Sequence, residues 1–134
     1  MPSLTSAPLT IALFLPDLTS RPDRRAAVDL AHGLLHAGAA VDVVAPMGGG
    51  PLRASLDPAI GQIDLAKRHA ATSALALARV VSERRPALLA MPREVAWVGR
   101  VALMLARSVA KLVVLTGEAE ADLAAIRAAA PRWD

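Results

Sequence analysis

The sequence predicts an α/β domain in which about five parallel strands form one doubly wound sheet, in the order 3-2-1-4-5, with helices on both faces. Two observations predict this class. Five short runs are mostly apolar throughout, as strands covered on both faces are. Most of these runs are separated by longer segments of helical periodicity, and right-handed crossovers then make neighbouring strands parallel.

The first strand is predicted at residues 11–15, where an uninterrupted apolar run is stopped by a proline. Residues 24–37 follow with apolar side chains on one broad helical face, and Gly38 closes this helix as a left-handed C-cap would. Residues 41–45 give the second strand, again stopped by a proline. Residues 47–51 contain three consecutive glycines, and we therefore expect a loop there.

The rest of the chain continues this alternation. In order, the predicted elements are a weak strand at 62–65, a helix at 72–85, a strand at 87–91, a helix at 94–109, a strand at 111–116 and a helix at 118–130. The last helix carries acidic residues in its first turn, where the helix macrodipole favours them. We expect this helix to expose an apolar face that includes Leu123, Ile126 and Trp133.

Length and composition limit the classes of protein to which the chain can belong. Its 134 residues are 54% hydrophobic and 2% aromatic, so we expect a single domain, residues 1–134, with a core of Ala, Leu and Val. No apolar run approaches the ~20 residues that a membrane span needs, and the N-terminus lacks the basic region of a signal peptide. We expect a cytoplasmic protein, and peripheral association with the inner membrane stays open.

Charge and residue usage exclude further classes. The chain has no cysteine, which excludes disulfides, thiolate metal ligands and Cys nucleophiles. A net charge of +3 without a basic stripe or stacking aromatics argues against nucleic acid as a partner. His32 and His36 lie one helical turn apart, yet no acidic or thiol partner has a matching spacing. We therefore expect neither a metal site nor a cofactor.

Candidate binding residues follow from the predicted fold. In a doubly wound sheet, ligands bind outside the carboxyl ends of the strands, at the switch point between strands 1 and 4. The loops that leave the strands supply these candidates for substrate binding: Asp17, Thr19, Ser20, Arg21, Arg24, Arg25, Gly48, Gly49, Arg93, Glu94, Thr116 and Gly117. No general base or nucleophile is evident among them, so the catalytic residues stay unassigned.

The same residues have purely structural interpretations. Ser20 or Asp23 would cap the first helix, which would leave the arginines that follow as solvated residues of its first turn. Glu94 would begin the third helix, and Thr116 would cap the last one. The glycine-rich loop would be a plain connection.

A family resemblance lies in residues 11–46, which read IALFLPDLTSRPDRRAAVDLAHGLLHAGAAVDVVAP. They resemble the opening of family 4 glycosyltransferases of the GT-B fold, in which a strand, a loop, a helix of the LAxxLxxxGHxV type and a second strand follow in order. Ala39 stands where that family has its histidine. Residues 63–92, IDLAKRHAATSALALARVVSERRPALLAMP, are similar to the family's basic pair, RRxxP-terminated helix and next strand. The resemblance covers about residues 10–115.

The resemblance implies a Rossmann-like, acceptor-side half of an enzyme that transfers a sugar from a nucleotide-sugar to a sugar or lipid acceptor. It implies a donor-binding domain as a partner, and a second copy of the chain in a homo-oligomer is the alternative. The family's first loop usually has a Gly-Gly pair, whereas residues 21–25 here read RPDRR, whose proline removes a backbone donor. Arginine forks can bind a phosphate from the side instead. The alternative function is a non-catalytic sugar- or nucleotide-binding module that acts as a scaffold or partner subunit.

Overall fold

A computed structural model describes residues 9–130 as one sheet with helices on both of its faces. In chain order the elements are β1 (Thr10–Phe14), α1 (Pro22–His36), β2 (Ala40–Ala45), β3 (Gly61–Asp64), α2 (Ala74–Arg84), β4 (Leu88–Pro92), α3 (Ala96–Leu105), β5 (Lys111–Leu115) and α4 (Ala119–Ala129). Short 3-10 helices occupy Arg53–Ser55, Ala70–Thr72 and Arg93–Val95. Every strand and helix that the sequence predicts is present, with shifted ends.

The five strands form one parallel sheet in the order β3-β2-β1-β4-β5, which confirms the predicted topology. Leu13 at the centre of β1 stands beside Val43 of β2 on one side and Ala90 of β4 on the other. The chain therefore winds outward from β1 in both directions. The carboxyl ends of β1, β4 and β5 consequently meet at one edge of the sheet.

The residues of β1 alternate between two apolar cores because successive side chains of a strand point to opposite faces. Ile11 and Leu13 belong to the core under α1 and α4, whereas Ala12 and Phe14 belong to the core under α2 and α3. All four are essentially inaccessible to solvent. Coverage on both faces is the reason that the run is apolar throughout instead of alternating.

The end of α1 shows why a glycine follows it. Gly38 has a φ of +96°, in the left-handed region that side chains disfavour. Its N–H donates to the carbonyl of Leu35, and the N–H of Ala39 donates to the carbonyl of Leu34. This pair of bonds is the Schellman arrangement, and it confirms Gly38 as the left-handed residue that ends the helix.

The third helix is shorter than the sequence predicts, because α3 ends at Leu105 and not at residue 109. The same Schellman bonds close it, from Arg107 to Met104 and from Ser108 to Leu103. Here an arginine with a φ of +51° occupies the position that glycine usually fills, so the sequence carried no stop signal. Apolar as α3 is, no helix within residues 9–130 has both the length and the hydropathy to cross a membrane.

The prediction of an exposed apolar face on α4 is wrong where the structure describes it. Ile126 is fully buried in the core between α1, α4 and the sheet, and Leu123 packs against the same core. Trp133 lies outside the described residues. The apolar side of α4 is covered because α4 packs against α1, a pairing that helical periodicity alone does not reveal.

Candidate functional site

The loop after β1 is organised by Arg24, whose side chain is 1% exposed. Its Nε lies 3.2 Å from Oδ1 of Asp17, its Nη1 lies 2.5 Å from Oδ2 of Asp23, and its Nη2 lies 3.7 Å from Oε1 of Glu94. One buried guanidinium thus ties the β1 loop, the start of α1 and the turn after β4 together. The interpretation of Arg24 as a solvated first-turn residue is wrong.

The start of α1 also differs from the prediction that Ser20 or Asp23 caps it. Arg21 is the N-cap residue, and no side chain accepts a hydrogen bond there. Pro22 occupies the first helical position, where its missing N–H is not needed. The Asp23 carboxylate is free to bind the arginines instead, since Nε of Arg21 lies 3.3 Å from its Oδ1.

Asp17 is held in its own loop as well as by Arg24. Its Oδ1 accepts hydrogen bonds from the backbone N–H of Thr19 at 3.1 Å and from the Thr19 hydroxyl at 2.7 Å. Partial burial raises the pKa of Asp17, but the bonds from Thr19 and the charge of Arg24 outweigh it and hold the pKa below its ordinary value. Asp17 is therefore an ionised carboxylate at neutral pH.

The loop after β5 is organised by Asp122, which is buried in the first turn of α4. Its Oδ1 accepts from the backbone N–H of Thr116 at 2.8 Å and from the Thr116 hydroxyl at 2.7 Å, and its Oδ2 accepts from the N–H of Gly117 at 3.2 Å. The N-cap of α4 is Glu118 and makes no side-chain cap bond, so Thr116 does not act as the predicted cap residue. Its hydroxyl oxygen does accept a bond from the N–H of Glu118 at 3.3 Å, one residue before the helix.

A cleft of about 350 Å³ opens where these loops meet, at the carboxyl ends of β4 and β5 and beside the first turn of α1. Its walls combine a few apolar side chains with carboxylates, a hydroxyl and one guanidinium. The residues that line it are Asp23, Ala27, Pro92, Arg93, Glu94, Leu115, Thr116, Gly117 and Asp122. We call this space the rim cleft. It lies at the carboxyl edge of the sheet, beside the switch point between β1 and β4 near which α/β sheets bind ligands.

The rim cleft carries more negative than positive charge. Asp23, Glu94 and Asp122 contribute carboxylates to its lining, whereas Arg93 contributes the guanidinium. Asp122 is buried with its oxygens occupied, so the accessible acceptors are Glu94 and the partly exposed Asp23. Such a surface suits a ligand with hydroxyl groups, because a carboxylate accepts several hydrogen bonds and Arg93 can donate others.

The predicted binding residues of the loops after β1, β4 and β5 fall into three groups in space. Arg93, Glu94, Thr116 and Gly117 line the rim cleft. Asp17 and Arg24 lie behind the rim cleft and form an ion pair with each other. Thr19 is connected to this ion pair because its hydroxyl donates to Asp17. The remaining residues of this loop are exposed beside it: Ser20, whose carbonyl accepts from Nε of Arg25 at 3.1 Å, together with Arg21 and Arg25.

Gly48 belongs to a different cavity, a small one between β2 and β3 that is also lined by Leu18, Arg53 and Asp64. Gly49 lines neither this cavity nor the rim cleft. The N–H of Ala66, and after it that of Gly48, donate to the Asp64 carboxylate and hold the pKa of Asp64 below its ordinary value. The chain therefore does not bring the glycine loop into the rim cleft.

Sequence reasoning missed Asp23 and Asp122 as residues of the cleft. The sequence interpretation gives Asp23 only the role of a helix cap, although the arginines at positions 21 and 24 indicate ion pairing. For Asp122 the signal was an acidic residue in the first turn of a helix that follows a strand and a Thr-Gly corner. Such a carboxylate can accept from the N–H groups of that corner.

Comparison with known proteins extends the description of the fold. The chain matches no protein-family model and no curated protein. Among solved structures it is similar to a glycosyltransferase from Rickettsia africae ESF-5, with 18% sequence identity and a TM-score of 0.65. The match covers 84% of this chain and 30% of that chain. The fold is therefore glycosyltransferase-like, and the chain corresponds to less than a third of its structural neighbour.

Proposed function

We propose that this chain is the acceptor-side domain of a glycosyltransferase of the GT-B type, working with a second domain that binds the nucleotide-sugar donor. The observation that carries the proposal is the rim cleft, which combines carboxylate, guanidinium and hydroxyl groups at the ligand-binding edge of the sheet. The glycosyltransferase-like fold and its fit to 30% of a longer neighbour support the same assignment.

The charge of the rim cleft favours a sugar acceptor over a nucleotide diphosphate. Glu94 and Asp23 accept hydrogen bonds, which sugar hydroxyls supply and phosphate oxygens do not. A diphosphate in this cleft would also be repelled by these carboxylates, because both line the cleft and a ligand bound there lies within a Debye length of them. Arg24, the best placed cation of the loop, is already committed to three carboxylates.

The donor diphosphate therefore needs groups from elsewhere, and in this proposal the second domain supplies them. The departing diphosphate would be stabilised across the interdomain cleft by preorganised cations or N–H donors. Arg93 is the cation that this chain would offer to the diphosphate, since it lines the rim cleft, is exposed and makes no ion pair within residues 9–130. For a lipid-linked acceptor, the same proposal puts the chain at the cytoplasmic face of the inner membrane.

A titration monitored by NMR tests the acceptor role. We expect methyl hexosides to shift the amide signals of Thr116 and Gly117, and UDP- or GDP-sugars alone to shift them much less. Glu94→Gln should weaken hexoside binding about tenfold, since a hydrogen bond to a charged group is lost. Glu83→Gln is the matched control, because Glu83 is an exposed glutamate near the end of α2 and outside the cleft.

The second candidate, a non-catalytic nucleotide- or sugar-binding module, is favoured by the replacement of the glycine loop by residues 21–25, RPDRR. It predicts saturable binding of a nucleotide-sugar by this chain alone. Nucleotide binding without hexoside-induced shifts at Thr116 and Gly117 would contradict the acceptor role and support this module. Equal weakening of hexoside binding by Glu83→Gln and Glu94→Gln would contradict the assignment of the rim cleft.

A further inference from the structure

The two edge strands of the sheet are both partly exposed, but their sequences differ in apolar content. β3, at one edge, reads Gly-Gln-Ile-Asp and alternates between half-buried and exposed residues. β5, at the other edge, reads Lys-Leu-Val-Val-Leu. An apolar run of this kind is typical of a strand that is covered on both faces and paired on both sides. Within residues 9–130, nothing pairs with the outer side of β5.

The helix beside this edge presents apolar side chains to solvent as well. Trp97 and Met104 are 51% and 70% exposed, and they lie seven residues apart on one side of α3. Val114 is 36% exposed and belongs to the same face of β5 as Leu112, which packs into the core beneath α3. We call Trp97, Met104 and Val114, with the open side of β5, the β5 edge surface.

The charges at the two ends of the β5 edge surface have opposite signs. Arg107 and Lys111 lie at the amino-terminal end of β5, and Glu118 and Glu120 follow its carboxyl-terminal end. All four are exposed, and none forms an ion pair with another residue in the described part of the chain. An edge with this distribution is complementary to a copy of itself that runs in the opposite direction.

We propose that a second copy of this chain pairs with β5 in an antiparallel manner about a twofold axis, so that two sheets join into one of ten strands. The backbone groups on the open side of β5 then find partners, and the apolar side chains of the two α3 helices cover one another. An isologous contact brings each end of the strand beside the opposite end of its copy, which places Arg107 and Lys111 near the partner's acidic end.

This arrangement leaves both rim clefts accessible. In an antiparallel pair the carboxyl ends of the two β5 strands point in opposite directions, so the clefts open at opposite ends of the joined sheet. A donor-binding domain could therefore approach each copy independently. The dimer does not depend on the proposed sugar acceptor, and either proposal can fail alone.

Sedimentation velocity and light scattering test the dimer. The full chain should sediment as a species of twice its 13.9 kDa, and Val114→Lys should raise the dissociation constant at least tenfold, because it places a charge on the open edge. Met47→Lys is the matched control, since Met47 is 57% exposed in the loop after β2, on the other half of the sheet. Circular dichroism verifies that both variants keep the fold.

Charge variants test the direction of pairing. Lys111→Glu should weaken the dimer, and the double variant Lys111→Glu/Glu118→Lys should restore it. The proposal is overturned if the chain stays monomeric at its highest soluble concentration, or if Val114→Lys and Met47→Lys dimerise equally well. A double variant that is weaker than Lys111→Glu alone overturns the antiparallel arrangement.

Discussion

Two arginine–carboxylate sites lie at opposite ends of the sheet, and they differ in which partner is buried. Beside the rim cleft, Arg24 is buried and its three carboxylates are 34–52% exposed. Toward the other end, Asp42 of β2 is 7% exposed and Arg84 of α2 is 50% exposed. Arg84 binds it with two bonds, Nε to Oδ2 at 3.0 Å and Nη2 to Oδ1 at 2.7 Å.

The two sites therefore respond differently to the loss of one partner. At Asp42 the loss of the arginine leaves one buried carboxylate unpaired, whereas the loss of Arg24 leaves three neighbouring carboxylates without the cation that they share. The Asp42 carboxylate packs directly against Gly61, where an added Cβ would overlap its Oδ1. It therefore has little room to adjust. Arg24 has three partners, and any one of them can be lost while the other two still compensate its charge.

The largest loss of stability is expected from Arg24→Met, which keeps much of the side-chain volume and removes the charge. The variant removes the cation that Asp17, Asp23 and Glu94 share and leaves the three carboxylates close together, with Arg21 still beside Asp23. We expect a loss of about 3 kcal/mol in the free energy of unfolding, at the low end for a broken buried pair. Urea denaturation measures it. Arg25→Met is the control, since Arg25 is exposed and, within residues 9–130, donates only to the carbonyl of Ser20. Equal losses in the two variants would contradict the role of Arg24.

Arg84→Ala should lower the free energy of unfolding by less, about 2 kcal/mol, because the buried Asp42 carboxylate then lacks both hydrogen bonds from the Arg84 guanidinium. Asp42→Asn should cost less, since the amide is neutral and Arg84 can turn to solvent. Thermal and urea unfolding of the pair give the comparison. A greater loss in Asp42→Asn than in Arg84→Ala would show that the burial of Asp42 does not set the cost.

The smallest effect is expected from Asp17→Asn, which should change the free energy of unfolding by no more than about 1 kcal/mol at neutral pH. Asp17 is partly exposed, so solvent screens its charge. The substitution should instead change how the free energy of unfolding depends on pH. The folded-state pKa of Asp17 lies below the ordinary value of 3.8, so its contribution is present above pH 3.8 and is lost as the pH falls through the lower pKa. Unfolding of Asp17→Asn should therefore depend less on pH in this range.

Asp64→Asn is the matched comparison for that measurement, since the pKa of Asp64 is also lowered, by backbone N–H groups in the β2–β3 region. Each single variant should remove part of the pH dependence below 3.8, and the double variant should remove more. If the free energy of unfolding of Asp17→Asn varied with pH as steeply as that of the unchanged chain, Thr19 and Arg24 would not favour the ionised form of Asp17.

The order and direction of the strands follow from patterns in the amino-acid sequence. Apolar runs such as residues 11–15 must be covered on both faces, and crossovers of one hand then leave few arrangements of five strands. Gly38 marked the end of α1 because the left-handed conformation is costly for other residues. These signals are local, and each can be found within a few residues of chain.

The contacts of the polar residues of the site depend on tertiary structure and cannot be predicted from these local patterns. Asp17, Arg24 and Glu94 are distant in sequence, and no pattern reports that their loops converge on one buried guanidinium. The same convergence brought Asp122 to Thr116 and left Gly48 in another cavity. Side-chain partners depend on the paths of loops across the edge of the sheet, and apolar periodicity carries no information about those paths.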